Sequence, residues 1–400
     1  MKICIVHRYP LSIIEGTNPS LPCFLNKLID RDHQVYLVTY KNDKKYQFKG
    51  KIHFADINVT FKRENPFELL IKSFLFVFIV PLKVLSLDKR VDFDLIYCDD
   101  SFPLYELFIK LLLTKKVLIR RGDLMCAYIL DKFGILGKLL FKIAFAIERY
   151  TWKRVDGISV ITEKFKRYLK EHDIEEKKVF VIEDSIDFKK FKNNQTELSA
   201  VKSKLGLSDE FIVMFHGLIM KMKGVDTLIK AIPLVVSKHK SVKFLIIGEG
   251  EDFQSLKELA NQLGITEHII FTGWVPYNDI QTYLEISDIG VPLRKNTLAN
   301  SLIVTTALLQ YWAASKPVIV PRLDAIEDIV KEGENGFIYK PQDHRSLAAK
   351  IIMSIDQRNY LLKMGENGRN FAAKKYNADI IAEKMCKFLQ NFSGEKNKEE

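Results

Sequence analysis

The sequence predicts two α/β domains in tandem, each built on a doubly wound parallel sheet, with a cleft between them. Short apolar runs alternate with segments of helical periodicity, which is typical of parallel strands joined by crossover helices. This alternation stops near the middle of the chain and then starts again. The chain also has 400 residues, more than the roughly 250 to 300 at which a single core stops growing.

Residues 1–190 form the predicted first domain, on the acceptor side. Its apolar runs predict buried strands at residues 2–6, 34–39, 95–98, 117–119, 157–161 and 179–182. Helical periodicity is found at residues 22–31, 67–85, 102–113, 135–153 and 163–171. Pro66 suits the start of the second helix, and we expect Pro81 to kink its last turn.

The polar stretch at 188–209 predicts a linker, assigned to residues 191–209, and the pattern restarts in a second domain at 210–375. Its predicted strands are 211–215, 242–247, 268–271, 289–291 and 317–320. Its predicted helices are 225–237, 253–263, 277–286, 305–314 and 344–356, and residues 376–400 read as a C-terminal helix and charged tail. In such sheets, ligands bind outside the carboxyl ends of the strands.

Composition excludes several classes of protein. With 47% hydrophobic and 28% charged residues, the chain is neither a disordered tail nor a fibre. Its cysteines, at 4, 23, 98, 126 and 386, are odd in number and lack short paired spacing, which argues against a disulfide framework and a zinc site.

We expect a cytoplasmic protein without a signal peptide. The apolar run at 73–82 is too short to span a membrane, which needs about 20 residues.

The net charge of +11 is uneven along the chain. Residues 1–190 hold 34 Lys and Arg against 25 Asp and Glu, whereas the remainder holds 27 against 25. Two interpretations stay open: an anionic partner such as a phospholipid surface, or simply a lysine-rich solvated face. A nucleic-acid partner is disfavoured, because the basic residues are not interleaved with aromatic residues in a recognisable module.

Glycine-containing turns follow the first three strands of the second domain. The segment 216–229, HGLIMKMKGVDTLI, places Gly217, Lys223 and a helix start after a buried strand, which is a common way to hold phosphate. Gly248, Gly250 and Gly273 follow the next two strands. A single turn of this kind is more often just a tight strand-to-helix connection, but three such turns on one edge would line a crevice. No GxGxxG follows either first strand, so a nicotinamide dinucleotide site has little support.

The order and spacing of these segments resemble glycosyltransferase family 4, the retaining, nucleotide-sugar-dependent enzymes of GT-B fold, which has two Rossmann-like domains. The similarity is strongest from His216 to about Phe337. It includes GLIMKMKGVDTLI, IIGEGED, FTGWVP, ASKPVIV and ENGFIY, and in the first half VIEDSIDFKKF.

The resemblance implies roles for particular residues. Lys223 would contact the donor diphosphate as a catalytic cation, and Val275 would hold the base through its backbone. The implied donor-binding residues are Gly16, Gly217, Lys223, Gly250, Val275, Thr305, Thr306 and Gln310.

Four positions differ from the family. Leu218 replaces an arginine after the glycine, and the two family glutamates fall near Leu302 and on Gln310. Gln310 can still bind a ribose hydroxyl. Arg121 stands where the family has a histidine, and we assign it a catalytic role toward the sugar. It could pair with an acidic donor sugar, or with Asp123 or another internal acid.

The predicted function is hexosyl transfer, with retention, from a nucleotide diphosphate sugar to a carbohydrate or lipid-linked acceptor, without a metal or other cofactor. Two alternatives remain open, a catalytically silent GT-B binding or scaffold protein and a sugar-nucleotide epimerase. The apolar stretch 67–85 and the five lysines at 41–51 favour peripheral contact with an anionic membrane, at its inner face. The stretch 67–85 could equally be an ordinary core helix.

Overall fold

The structure, a computed structural model, describes residues 1–7, 19–40, 52–57, 66–99, 103–191 and 195–393. The chain divides into two compact units. The first comprises Met1–Ser185 together with the C-terminal segment from Ala378, and the second is Ile186–Asn377.

The first unit contains a seven-stranded parallel sheet in the order β3-β2-β1-β4-β5-β6-β7. Because the order reverses after β1, this is a doubly wound sheet. Its strands are β1 (Lys2–Val6), β2 (Gln34–Tyr40), β3 (Ile52–Ile57), β4 (Leu95–Cys98), β5 (Lys116–Arg121), β6 (Gly157–Val160) and β7 (Val179–Val181). Its first five helices are α1 (Ser20–Asp30), α2 (Pro66–Val91), α3 (Pro103–Leu112), α4 (Ala127–Arg154) and α5 (Glu163–Glu171).

The sequence located six of these strands and all five helices to within a few residues, except at two helix ends. Helix α2 starts at Pro66 as expected but continues through Pro81 to Val91, and α4 begins eight residues before the predicted start at 135. Strand β3 was missed. It includes His53 and Asp56, so it lacks the continuous apolar run of a buried strand. Among the described strands it lies at the sheet edge, paired with β2.

The second unit contains a parallel sheet in the order β10-β9-β8-β11 and a two-stranded pair, β12-β13. A parallel bridge between Gly290 and Val318 connects the two. The strands are β8 (Phe211–His216), β9 (Val242–Ile247), β10 (Ile269–Gly273), β11 (Ile289–Gly290), β12 (Ile319–Pro321) and β13 (Phe337–Tyr339). The helices are α6 (Gln195–Lys204), α7 (Val225–Val236), α8 (Phe253–Gln262), α9 (Ile280–Ile286), α10 (Leu298–Ser301), α11 (Thr306–Ala313), α12 (Asp324–Glu327), α13 (His344–Asp356) and α14 (Arg358–Lys375). A second α/β unit with a parallel sheet agrees with the predicted fold class.

The segment interpreted as a linker is structured over much of its length. Within 191–209, helix α6 presents Leu198 and Val201 to the core of the second unit. The division between units therefore falls after Ser185 rather than in the polar stretch. A solvated helix face supplied the polar residues that suggested a linker.

The last helix, α15 (Ala378–Ser393), belongs to the first unit. Its buried side chains Met385, Phe388 and Leu389 join the core formed by α1, β1, β2 and β4. At its polar edge, Glu383 accepts a hydrogen bond from Arg31 at 2.7 Å.

Neighbouring helices of the first unit expose rows of apolar side chains. In α2 the row is Leu75, Phe78, Ile79 and Leu82; in α4 it is Leu136, Leu139, Leu140 and Ile143. Helix α3 packs against both of them. Within the described residues, no helix combines the length and apolar character that a membrane-spanning segment requires.

Candidate functional site

The predicted site of the second unit lies at the carboxyl ends of β8, β9 and β10, where loops are joined through their backbones. The Gly217 amide donates to the Ile247 carbonyl at 3.0 Å, and the Ile219 amide donates to the Glu249 carbonyl at 2.9 Å. The loop after β8 is thereby fixed to the loop after β9. This places the predicted phosphate-binding segment at the sheet edge where ligands bind in doubly wound folds.

Glycine is required where these loops meet. A Cβ at Gly250 would lie 1.9 Å from the Ile219 carbonyl oxygen, and one at Gly248 would lie 1.9 Å from that of Gly217. Gly217 differs from both. Its φ of +135° disfavours other residues, but the nearest atom to a Cβ there, in the Phe215 ring, is 4.0 Å away. Ligand atoms can therefore approach the backbone at Gly217.

Lys223 ends a short 3₁₀ turn, Lys221–Lys223, immediately before α7. Its amide donates to the Met220 carbonyl at 2.8 Å, and Gly224 follows with a φ of +73°. The half-buried side chain affects the end of β8, since its positive charge contributes to lowering the pKa of His216. A cation therefore lies near the carboxyl end of the strand, as predicted.

His216 is buried at the end of β8 beside Gln310. The pKa of His216 is lowered to about 4, mainly because the side chain is buried; the hydrogen bond to Gln310 opposes this shift, and the positive charge of Lys223 adds to it. The imidazole is therefore neutral near pH 7. Its Nε2 lies 2.7 Å from Gln310 Oε1. Gln310 Nε2 donates to none of the described residues, so it remains available to a ligand hydroxyl.

The segment between β11 and α10 is joined to the Lys223 turn by a buried polar network. Arg294 Nη1 donates to Asn300 Oδ1 at 2.6 Å, and Asn300 Nδ2 donates to the carbonyls of Lys295 (2.9 Å) and Met222 (3.4 Å). The Lys295 amide also donates to the Met222 carbonyl, at 3.1 Å. Two donors thus hold the carbonyl of the residue that precedes Lys223.

Helix α11 begins beside this network. Thr305 is buried and caps the helix, because its Oγ1 accepts a hydrogen bond from the Ala307 amide at 3.4 Å. Thr306, the first helical residue, is half-buried. Leu302 is buried in the position of the first family glutamate. An alkyl side chain there cannot form the sugar contact that the resemblance implies for a carboxylate.

The third loop starts at Gly273, whose carbonyl accepts a hydrogen bond from the Gly248 amide at 2.9 Å. Val275 is half-buried and packs against the core of the unit, whereas the adjacent Trp274 is 60% exposed. Packing at Val275 fixes the backbone of this loop, which is what base recognition through main-chain groups requires.

The two predicted site residues of the first domain, Gly16 and Arg121, are not found at a ligand-accessible site in the described structure. Gly16 lies outside the described residues. Arg121, predicted to act on the sugar, has no exposed surface, and its guanidinium binds both carboxylate oxygens of Glu106 on α3. This corrects the prediction: the guanidinium is enclosed and its charge is matched internally, so it is not presented to a ligand.

A polar cluster at the carboxyl edge of the first sheet was missed from the sequence. Arg120 Nη2 donates to Asp184 Oδ1 at 2.8 Å, and Arg120 Nε lies 3.7 Å from Asp99 Oδ1. Asp99 Oδ2 in turn lies 3.8 Å from His7 Nε2. The only signal in the sequence was position. His7 and Asp99 directly follow β1 and β4, Arg120 is the second-last residue of β5, and Asp184 lies three residues after the end of β7. In the second unit, His216, Arg294 and Asn300 were also missed.

Comparison with known proteins assigns the chain to a family. The profile of "Glycosyl transferases group 1" matches residues 199–371, and that of "Glycosyltransferase Family 4" matches residues 24–190. An uncharacterized glycosyltransferase of Methanocaldococcus jannaschii is 25% identical over 72% of this chain and 72% of its own length. A GDP-mannose-dependent phosphatidylinositol monomannoside mannosyltransferase of Mycobacterium tuberculosis is 22% identical over 51% of this chain. The alignment spans 54% of that enzyme, about half of its length.

Among solved structures, Anabaena HepE in complex with UDP superposes with a TM-score of 0.75 at 14% identity, covering 98% of this chain and 100% of HepE. At that identity the likeness concerns the fold. Together with the two family profiles, which match residues 24–190 and 199–371, it establishes the architecture. The chain belongs to the family 4 type of glycosyltransferases and has their GT-B fold.

Proposed function

We propose that this glycosyltransferase transfers a hexose from a nucleotide diphosphate sugar bound at the carboxyl edge of the second sheet. The observation that carries the proposal is the glycine-lined junction of the loops after β8 and β9. The backbone at Gly217 is open to a ligand there, and the charge of Lys223 acts on the preceding residue, His216, whose pKa it helps to lower. Backbone amides at a helix start together with a lysine suit a diphosphate.

The same groups would promote the reaction. When the glycosidic bond to the donor breaks, negative charge develops on the leaving diphosphate. A fixed lysine and backbone amides stabilise that charge without having to reorganise. His216 is neutral, so it contributes no charge and instead orients Gln310. The free Gln310 Nε2 would donate to a ribose hydroxyl, and the loop at Val275 would hold the base. Retention of configuration and independence of metal ions are part of the proposal.

A lipid-linked or membrane-proximal acceptor is the proposal for the second substrate. The exposed apolar row of α4 is flanked by the exposed lysines Lys138 and Lys142. Apolar side chains beside cations suit the surface of an anionic membrane, where each basic residue contributes about 1 kcal/mol. The mycobacterial relative is named for a phosphatidylinositol mannoside acceptor. The lysines at 41–51, also invoked from the sequence, lie outside the described residues.

Release of nucleoside diphosphate from a panel of UDP-, GDP-, ADP- and TDP-sugars tests the donor proposal, with Lys223→Ala as the impaired variant. The donor proposal is supported if the wild-type chain turns over one of these donors and the Lys223→Ala variant does so much more slowly. Binding of a donor without release would favour the silent alternative, to which the buried Leu302 already points. Conversion of a nucleotide sugar to its epimer would favour the epimerase.

Sedimentation with liposomes of phosphatidylglycerol and phosphatidylcholine tests the acceptor proposal. Binding at low salt that weakens in Ile143→Glu supports it. The matched control is Tyr360→Glu, which changes another exposed large side chain in the second unit. Absence of binding at low salt would contradict membrane proximity, without bearing on the donor.

A further inference from the structure

Arg294 is a buried cation without a carboxylate partner among the described residues. Its exposed fraction is 9%, and its one hydrogen bond runs from Nη1 to Asn300 Oδ1. Nε is buried and donates to no described residue. Nη2 likewise has no hydrogen-bond partner in the part of the chain that the structure describes. A guanidinium in this setting is poorly compensated by the protein itself, because buried charges are normally paired.

The position of Arg294 connects it to the predicted phosphate site. It precedes Lys295, whose amide donates to the Met222 carbonyl, and its partner Asn300 donates to the same carbonyl. Met222 directly precedes Lys223. Lys295 cannot take the same role, since its Nζ is directed toward Asp226, at 3.9 Å. Arg294 is therefore the uncompensated charge in the network that borders the Lys223 turn.

The chemistry of the guanidinium indicates what it would bind. Nε and Nη2 form one edge of the guanidinium, and such an edge can donate to two oxygens of a phosphate group. At Leu218, after the phosphate-loop glycine, the chain has a 47% exposed alkyl side chain and no second cation. The chain thus has no cation at position 218, beside the predicted phosphate loop, but it has at Arg294, in the network next to the Lys223 turn, a guanidinium that is unpaired among the described residues.

We propose that Arg294 supplies the second positive charge to the diphosphate of the donor, in place of the cation absent at Leu218. This inference rests on the proposed donor site and identifies a further residue of it. Arg294 would act together with Lys223, to whose 3₁₀ turn its partner Asn300 is bound through the Met222 carbonyl. Its hydrogen bond to Asn300 would hold the guanidinium in place while the Nε–Nη2 edge binds the diphosphate.

The test compares binding of nucleoside diphosphate and nucleoside by calorimetry, with UDP and GDP and then uridine and guanosine as probes. For Arg294→Gln we expect diphosphate affinity to fall by roughly 10- to 100-fold, the range of a lost hydrogen bond to a charged group. Affinity for the nucleoside should change by less than about threefold. Arg322→Gln is the control, because Arg322 is an exposed arginine of the same unit that is paired with Glu327.

A second substitution distinguishes binding of the diphosphate by Arg294 from a purely structural role in holding the Lys223 turn. Adding Leu218→Arg to Arg294→Gln should restore most of the diphosphate affinity, since it returns a cation to the other position. Equal losses for nucleoside and diphosphate, with no rescue, would show that Arg294 only holds the turn and would overturn the proposal. If Arg294→Gln fails to fold, Arg294→Lys should fold and lose diphosphate affinity in part; unchanged affinity in that variant would also overturn it. Failure of the wild-type chain to bind UDP, GDP, ADP or TDP would instead refute the donor site itself.

Discussion

The contact between Gly250 and the Ile219 carbonyl predicts that Gly250→Ala destabilises the second unit and abolishes donor binding. The new Cβ would lie 1.9 Å from the Ile219 oxygen, whereas real Cβ contacts stay beyond 3.0 Å, so the two loops must separate by about 1 Å. That separation disrupts the hydrogen bonds from Ile219 to Glu249 (2.9 Å) and from Asp252 to Ile219 (3.4 Å).

The expected magnitude follows from these losses. Two backbone hydrogen bonds contribute about 1 kcal/mol each, and a side chain at the Gly250 φ of +156° costs about another 1 to 2 kcal/mol. The free energy of unfolding should therefore fall by about 3 to 4 kcal/mol. UDP or GDP binding should be lost as well, because Gly217 and Ile219 belong to the displaced loop.

Urea unfolding of the full chain measures the first effect, and calorimetry measures the second. Gly264→Ala is the matched control. Gly264 has a φ of +65°, but no atom lies within 4 Å of the position that the alanine methyl group would take, so only the conformational cost of about 1 kcal/mol applies. Equal destabilisation by the two substitutions, with nucleotide binding retained in Gly250→Ala, would refute the close-contact reasoning.

Three further predictions concern the donor site. Lys223→Ala should lower turnover by about 10²-fold or more, the scale of one lost preorganised donor, and unchanged turnover in a folded variant would exclude its role. Since the pKa of His216 is lowered to about 4 from 6.5, the unfolded state binds more protons between these values, and stability should fall as pH decreases from about 6.5 to about 4. Urea midpoints measured across that range should vary less in His216→Gln; an identical pH dependence would contradict the assignment. Turnover should be insensitive to EDTA, and a loss restored by added Mg²⁺ would contradict the metal-independent reaction.

The loops of the proposed donor site could be predicted because their constraints are local. A strand followed by glycine and then lysine before a helix needs no knowledge of distant residues, and Gly217, Gly250 and Lys223 all lie at the expected edge. The sequence does not show, however, why position 250 must be glycine. Only the structure shows that the Ile219 carbonyl occupies the space of its side chain.

Arg121 and Arg294 show what the sequence could not supply. Arg121 was assigned to the site because it stands where the resembled family has a histidine, but its environment depends on Glu106, fifteen residues earlier on α3. Arg294 lies in an irregular segment without periodicity, and its hydrogen-bond partner Asn300 is itself bound to the Met222 carbonyl, which is distant in sequence. Long-range pairing determines whether a charged side chain faces a ligand or a neighbour.

The return of helix α15 to the first unit has a consequence for synthesis. The second unit is one continuous stretch, Ile186–Asn377, whereas the first is assembled from both ends of the chain. During synthesis, the strands of the first unit emerge early, whereas Met385, Phe388 and Leu389 of α15 are made near the end. These side chains can therefore cover the core only after nearly the whole polypeptide has been synthesised. Until then the core around Phe24 and Tyr97 stays partly uncovered. The second unit, although its synthesis starts later, is complete before the first. We therefore expect chaperones to bind the nascent first unit, and a fragment ending near Ser185 to aggregate.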